Sequence, residues 1–176
     1  MSRRDPQAFA DFVAARSGAL HRAAFLMVGD AQLAQDLVQE ALTKIYVAWP
    51  RLHDATNHAK VEAYARKAIT TTAIGWFRKK SWGERTAEVL PEGSQAGHSE
   101  SVDERAWLWQ ALQELPVRQR AAIVLRFYED LTEAQTAEAM GCAVGTVKSQ
   151  VSAGLAKLRA RLGDDVLPTD LIEVTR

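Results

Sequence analysis

Residues Leu131 to Leu162 read LTEAQTAEAMGCAVGTVKSQVSAGLAKLRARL, and this stretch decides the fold class. Thr132 and Gln135 have the Thr-x-x-Gln spacing of a capping box, so a helix is expected to start near Glu133. Gly141 can adopt the left-handed conformation that closes a helix, which places its end at Met140-Gly141. A second helix then opens near Val144. At about 100° per residue, Val144, Val147, Val151, Leu155, Leu158 and Leu162 share one narrow arc, with Thr146, Ser149, Ala153 and Ala156 on the opposite side. A short helix, a tight turn and a longer helix with a polar outer face form the pattern of a helix-turn-helix DNA reader. Small and polar side chains can then touch base edges, while Lys148, Lys157, Arg159 and Arg161 supply cations for phosphates. The plainer reading is an ordinary surface helix whose polar face is solvated.

Working outward, Pro116 restarts the chain into Val117 to Tyr128, where Ala122, Val124, Leu125 and Tyr128 are available to a core. Ser101-x-x-Glu104 is a second capping box, opening a helix that carries Trp107, Leu108, Ala111 and Leu112. These two helices and the helix-turn-helix pair make a four-helix C-terminal domain, residues 101–163, followed by an acidic tail, 164–176. Upstream, residues 84–100 are rich in Gly, Ser, Pro and acid without apolar period, and read as a flexible linker.

Residues 1–83 hold three helical segments. The first runs from Pro6, well placed as an opening residue, to Val28, where Gly29-Asp30 breaks it. Asp30 can cap the second, Ala31 to Trp49, which Pro50 is expected to stop. The third follows the polar stretch His53 to His58 and runs to about Lys80. No strand pattern or internal repeat occurs, so the expected class is all-α: two small helical bundles joined by a connector.

Composition narrows the function. Hydrophobic residues make up 47% of the 176, enough for packed cores, and 22 basic against 22 acidic side chains argue against coating nucleic acid by net charge alone. The charges are segregated, however. Residues 61–85 carry six cations against two anions, and residues 86–104 carry five acids and no base. Cys142 is the single cysteine, which excludes an intrachain disulfide and a cysteine-based zinc site. The four His, at 21, 53, 58 and 98, have no metal or triad spacing, and no Gly-rich phosphate loop occurs, so neither catalysis, a metal nor a cofactor is expected. The longest apolar run, Ala23 to Val28, is too short to span a membrane, and the N-terminus lacks a secretion signal; a cytoplasmic location is expected.

Two further surfaces suggest partners. In the second helix Ala34, Leu37, Val38, Ala41, Leu42, Ile45, Ala48 and Trp49 cover a broad arc, with Gln32, Asp36, Gln39, Glu40 and Thr43 on the other side. In the third, Arg66, Lys67, Thr70, Ile74, Phe77 and Arg78 share a face, with Trp76 and Trp82 close by. Cations attract phosphates and aromatic rings stack on unpaired bases, so this face reads as a single-strand site. Trp76 fits core packing equally well.

DLVQEAL at 36–42, then a basic aromatic helix, a linker, and LTEAQTAEAMGCAVGTVKSQV at 131–151 together resemble the bacterial extracytoplasmic-function (ECF) sigma factors, most closely the actinobacterial SigE-like branch. The resemblance runs from about residue 6 to residue 163. It implies a transcription initiation factor of two domains, sigma domains two and four, with core RNA polymerase, promoter DNA and an anti-sigma factor as candidate partners. It implies that Asp36, Leu37, Gln39 and Glu40 dock on the polymerase, and that the segment Arg66 to Lys80, with Arg66, Lys67, Thr70, Thr71, Trp76, Phe77, Arg78, Lys79 and Lys80, melts the minus-ten element. It further implies that Gly145, Thr146, Lys148, Ser149, Gln150, Ser152, Ala153 and Lys157 read the minus-thirty-five element. Three positions depart from the family pattern: Thr70-Thr71-Thr72 where relatives commonly place Asn, Ala143 where they often place Ser, and Ala153 where Arg is frequent. Each change removes a polar contact. A self-contained helix-turn-helix regulator and an adaptor that keeps polymerase docking without DNA affinity are the alternative readings.

Overall fold

A computed structural model describes residues 6–52, 58–84 and 106–163 of the chain. Among them there are seven helices and no strand. The N-terminal bundle consists of α1 (Pro6–Val28), α2 (Ala31–Leu52) and α3 (His58–Glu84). Gly29, at φ +78°, turns the chain out of α1, a conformation that disfavours any residue with a Cβ. Asp30 then accepts from the backbone N–H of Leu33 at 2.8 Å and caps α2 as expected. The apolar arc of α2 is buried throughout, and Phe9 and Phe12 close on Trp49 with ring centroids 5.1 and 5.5 Å away. Pro50 does not stop α2, which runs on to Leu52. In the last turn its missing N–H forfeits one intrahelical bond, a smaller cost than in a helix interior.

The C-terminal bundle comprises α4 (Ala106–Gln113), α5 (Val117–Tyr128), α6 (Glu133–Met140) and α7 (Val144–Leu162). From Val124 to Tyr128, α5 widens into a π-helical turn, with the N–H of Glu129 on the carbonyl of Val124 at 3.0 Å. Asp130 follows at φ +51° and redirects the chain into the helix-turn-helix. There the capping box forms in full: Gln135 N–H donates to Thr132 Oγ1 at 3.2 Å and Thr132 N–H donates to Gln135 Oε1 at 2.9 Å. Gly141, at φ +64°, ends α6, and the N–H of Cys142 reaches the carbonyl of Ala137 at 3.0 Å, a Schellman closure. The expected box at Ser101–Glu104, the linker and the acidic tail lie outside the described residues. On α4 Leu108, Ala111 and Leu112 are buried, whereas Trp107 is 44% exposed.

The two bundles expected from sequence are packed against one another, which sequence did not reveal. Phe25 of α1 stacks on Trp109 of α4, centroids 4.8 Å apart and planes 4° from parallel. Arg22 donates to the Tyr128 hydroxyl at 3.1 Å, and Arg66 of α3 pairs with Glu129 at 3.4 Å. At the centre lies Arg120 of α5, only 5% exposed. Its guanidinium donates to the carbonyl of Met27 at 2.8 Å, to the side chain and carbonyl of Gln113 at 2.6 and 2.8 Å, and to the carbonyl of Leu115 at 2.9 Å. Among the described residues no carboxylate pairs with this charge. It is met instead by carbonyls at the C-terminal ends of α1 and α4, where helix dipoles are negative, and by the Phe77 ring at 5.6 Å. Desolvation pulls its pKa down to about 10, still high enough to keep it charged near neutrality.

Replacing Arg120 therefore leaves buried carbonyls without donors. Arg120→Met is expected to cost on the order of 3 kcal/mol in urea denaturation of the full chain. Arg120→Lys recovers little of it, because a single ammonium cannot reproduce the planar fork. An unchanged midpoint for Arg120→Met would show that the carbonyls are equally well served by water.

Candidate nucleic-acid interface

On α7 the buried stripe is Val147, Gly154 and Leu158, with Val151 and Leu155 half-buried beside it. Gly154 belongs there because a Cβ would meet the side chain of Ile123, so close packing of α5 on α7 needs the missing side chain. This rotates the helix slightly from its expected orientation. Val144 is not in the stripe but 39% exposed, and Ala153 is half-buried on a flank instead of opposite the core. The free line is Gly145, Ser149, Ser152 and Ala156, with Thr146 and Gln150 half-buried to one side. At about 100° per residue, Lys148 and Lys157 fall on opposite flanks of that line, both exposed. A narrow polar ridge bordered by cations suits a groove with phosphates on either side. Lys148 meets Glu133 at 3.5 Å, but both side chains are largely solvated. The Ser149 hydroxyl donates to the carbonyl of Thr146 at 2.9 Å, leaving its oxygen to accept.

On α3 the expected site splits. Thr70 is fully buried and cannot meet a base, because this side of α3 is covered by the C-terminal bundle. Arg66, on the same side, is held by Glu62 at 3.2 Å and by Glu129. Phe77 is half-buried beneath Arg120. What remains exposed is Lys67, Thr71 and Arg78 in line, followed by Lys79 and Lys80. Next to this line Gly75 has nothing within 4 Å of where a Cβ would sit, so the helix backbone is bare there. Trp76 lies round the helix, on the seam with α2, and Trp82 falls where no side chain is described.

On α2, Asp36, Gln39, Glu40 and Thr43 are exposed, whereas Leu37 is fully buried as part of the apolar arc and faces no partner. Leu33, 43% exposed, and Val47, 61% exposed, bracket the polar stripe on the same side of the helix. Sequence reasoning passed over both, although each falls off the apolar arc and so carried a signal. Glu40 is the most engaged member. One oxygen pairs with Lys44 at 2.9 Å and the other accepts from the Trp76 indole N–H at 2.8 Å. The Lys44 hydrogen bond chiefly, with Trp76 and the charges of Lys44 and Lys79 adding, holds its carboxyl below the usual range despite partial desolvation.

Among the described residues no cluster of His, Cys, Asp and Glu could hold a metal, and no helix is long and apolar enough to cross a membrane. The reading helix also begins without a side-chain cap: Ala143 has the extended backbone of an N-cap and nothing to offer the first-turn N–H groups. Ala143→Ser is expected to stabilise the chain by about 1 kcal/mol, measured as a raised denaturation midpoint. No gain would mean those N–H groups are already satisfied.

The chain matches the family model "Sigma-70 region 2" over residues 12–83 and "Sigma-70, region 4" over residues 105–158. It is 36% identical over 154 residues to the RNA polymerase sigma-E factor of Streptomyces coelicolor, covering 88% of this chain and 85% of that one. It is 32% identical over 146 residues to the RNA polymerase sigma factor SigV of Bacillus subtilis, covering 81% and 83%. In fold it is similar to the sigma factor RpoE in its complex with the anti-sigma factor NepR from Bartonella quintana, with TM-score 0.73, 24% identity and 91% and 99% of the two chains covered. CnrH in complex with the cytosolic domain of CnrY is also similar, with TM-score 0.64, 20% identity and 92% of each chain covered. With both regions present in order, on one chain, the protein belongs to the ECF group of the sigma-70 family, the transcription initiation factors that direct RNA polymerase to promoters.

Proposed function

We propose that residues 1–83 form the domain that docks on core RNA polymerase and opens the minus-ten element, and that residues 101–163 form the domain that reads the minus-thirty-five element. Residues 84–100 then serve as the connector and 164–176 as a tail. The observation that carries this reading is the α7 ridge of Gly145, Ser149, Ser152 and Ala156, free of intramolecular cover and flanked by Lys148 and Lys157. On α2 the stripe of Asp36, Gln39 and Glu40 between Leu33 and Val47 supplies mixed polar and apolar contact for the polymerase. On α3 the line of Lys67, Thr71, Arg78, Lys79 and Lys80 follows the phosphates of the opening strand. The chain does no chemistry in this scheme; the polymerase supplies it, in the cytoplasm. An anti-sigma factor, like those bound to the two structural relatives, is a partner of the same kind.

The region 2 match argues against a self-contained regulator, which has no use for a polymerase-docking domain. The free α7 ridge argues against an adaptor without DNA affinity. One consequence concerns geometry. Two elements about 25 base pairs apart lie roughly 85 Å from each other at 3.4 Å per pair, yet α3 packs directly on α6. The packed arrangement is therefore a resting one, and the bundles part when both elements are held.

Run-off transcription over genomic fragments, with core polymerase and with or without the chain, tests the assignment. New transcripts that depend on the chain are expected. Asp36→Lys should abolish them together with pull-down by core, since charge reversal opposes a complementary surface; pull-down at wild-type strength would sink the docking assignment. Lys148→Ala should weaken promoter binding about equally for all sequences and flatten the log affinity against log salt slope by about one unit. An unchanged slope would remove Lys148 from the interface.

A further inference from the structure

The docking stripe of α2 and the α3 segment meet in one chain of polar contacts. The Trp76 indole N–H donates to Glu40 Oε2 at 2.8 Å, and Glu40 Oε1 pairs with Lys44 at 2.9 Å. Lys44 Nζ donates to Thr72 Oγ1 at 2.7 Å, and Thr72 in turn donates to the carbonyl of Ala68 at 2.6 Å. Both oxygens of Glu40 are thus engaged inside the protein, although the residue sits on the exposed stripe with Asp36 and Gln39. The indole is correspondingly drawn onto the seam with α2, away from the line of Lys67, Thr71 and Arg78.

We propose that Glu40 is the positioning residue for Trp76: in the free chain it holds the indole on the α2 seam, and a cationic polymerase surface that takes the Glu40 carboxylate releases the ring to stack on an unpaired base. The inference rests on the docking and melting roles proposed above and says how they are linked. Glu40 Oε2 cannot serve the indole and an incoming guanidinium equally well, since a bidentate cation claims both oxygens of a carboxylate. Docking therefore breaks the indole bond, and the ring gains a stacking partner only after the polymerase is in place. By linkage, single-strand capture by the freed ring tightens docking by the same factor. A chain so built avoids spending its base-stacking group on single strands met without polymerase.

The test measures binding of a short fluorescein-labelled single-stranded DNA to the full chain, alone and in complex with core polymerase. Trp76→Phe keeps an aromatic ring able to stack, though a smaller one, and removes the N–H. Glu40→Asp keeps the charge beside Lys44 but withdraws the carboxylate by one methylene. Each is expected to bind the strand roughly fivefold tighter than wild type when free, the equivalent of one released hydrogen bond. The double variant should gain no more than either alone, because both break the same contact. In complex with core the advantage of Trp76→Phe over wild type should disappear, since docking has already released the indole. Free Trp76→Phe binding no tighter than wild type, with its thermal midpoint retained, overturns the proposal and leaves the bond a structural one. If instead Trp76→Ala leaves strand binding by the core complex unchanged, Trp76 has no part in melting and the inference fails, while docking by α2 and strand contact by the basic line of α3 stand.

Discussion

A single buried cation organises the molecule. Among the described residues no carboxylate pairs with Arg120, and burying a guanidinium unpaired would cost several kcal/mol. It is tolerated because α1 and α4 both end against it, so their last carbonyls and helix dipoles supply the negative potential that an acid would otherwise give. That solution binds the two bundles together. The carbonyl of Met27 belongs to one bundle and those of Gln113 and Leu115 to the other, so both terminal nitrogens of the guanidinium keep all their acceptors only while the bundles touch. The Gln113 amide N–H reinforces the joint by donating to the carbonyl of Leu26 at 3.2 Å.

The packing divides α3 among three neighbours. Ala65, Ala68, Ile69 and Thr72 face the N-terminal core, Arg66, Thr70 and Phe77 lie towards the C-terminal bundle, and Lys67, Thr71 and Arg78 are left to solvent. A helix shared in this way shows little amphipathic contrast along its sequence, because two of its sides are covered. The exposed strip is narrow but continuous, and it is basic. In the proposed parting of the bundles, Arg66 would lose Glu129 and Phe77 would lose Arg120, and the cationic and aromatic surface of α3 would widen.

This sharing explains what was legible in the sequence and what was not. Local chemistry could be read: the Thr132–Gln135 box, the Gly141 stop and the Asp30 cap are decided by residues three or four apart, and all are present. The buried arc of α2 was also legible, since it packs within its own bundle. Positions set by the second bundle were not. Thr70 and Phe77 matched a basic aromatic pattern, but nothing local says that α5 and α6 cover them. Nothing in the sequence around Arg120 marks it as buried, and the π turn at Val124–Tyr128 has no residue signature. On α7 the difference is a slight rotation: Val144 and Ala153 leave their expected positions, and Gly154, where a Cβ would meet the Ile123 side chain, lies in the buried stripe.

The rotation bears on how the chain achieves selectivity with so few strong contacts. The α7 ridge carries Ser149 and Ser152 but no Arg or Asn, the side chains that make bidentate contacts to bases. Exposed Val144 adds an apolar surface suited to a thymine methyl, and the flanking lysines add sequence-independent attraction. Such a helix binds weakly alone. In the proposed scheme, tethering to a second DNA-binding domain and to a docked polymerase would give it a high effective concentration, so that the product of several weak contacts replaces one strong one. Zero net charge serves the same end, because a chain that does not cling to DNA by itself depends on the polymerase for its affinity.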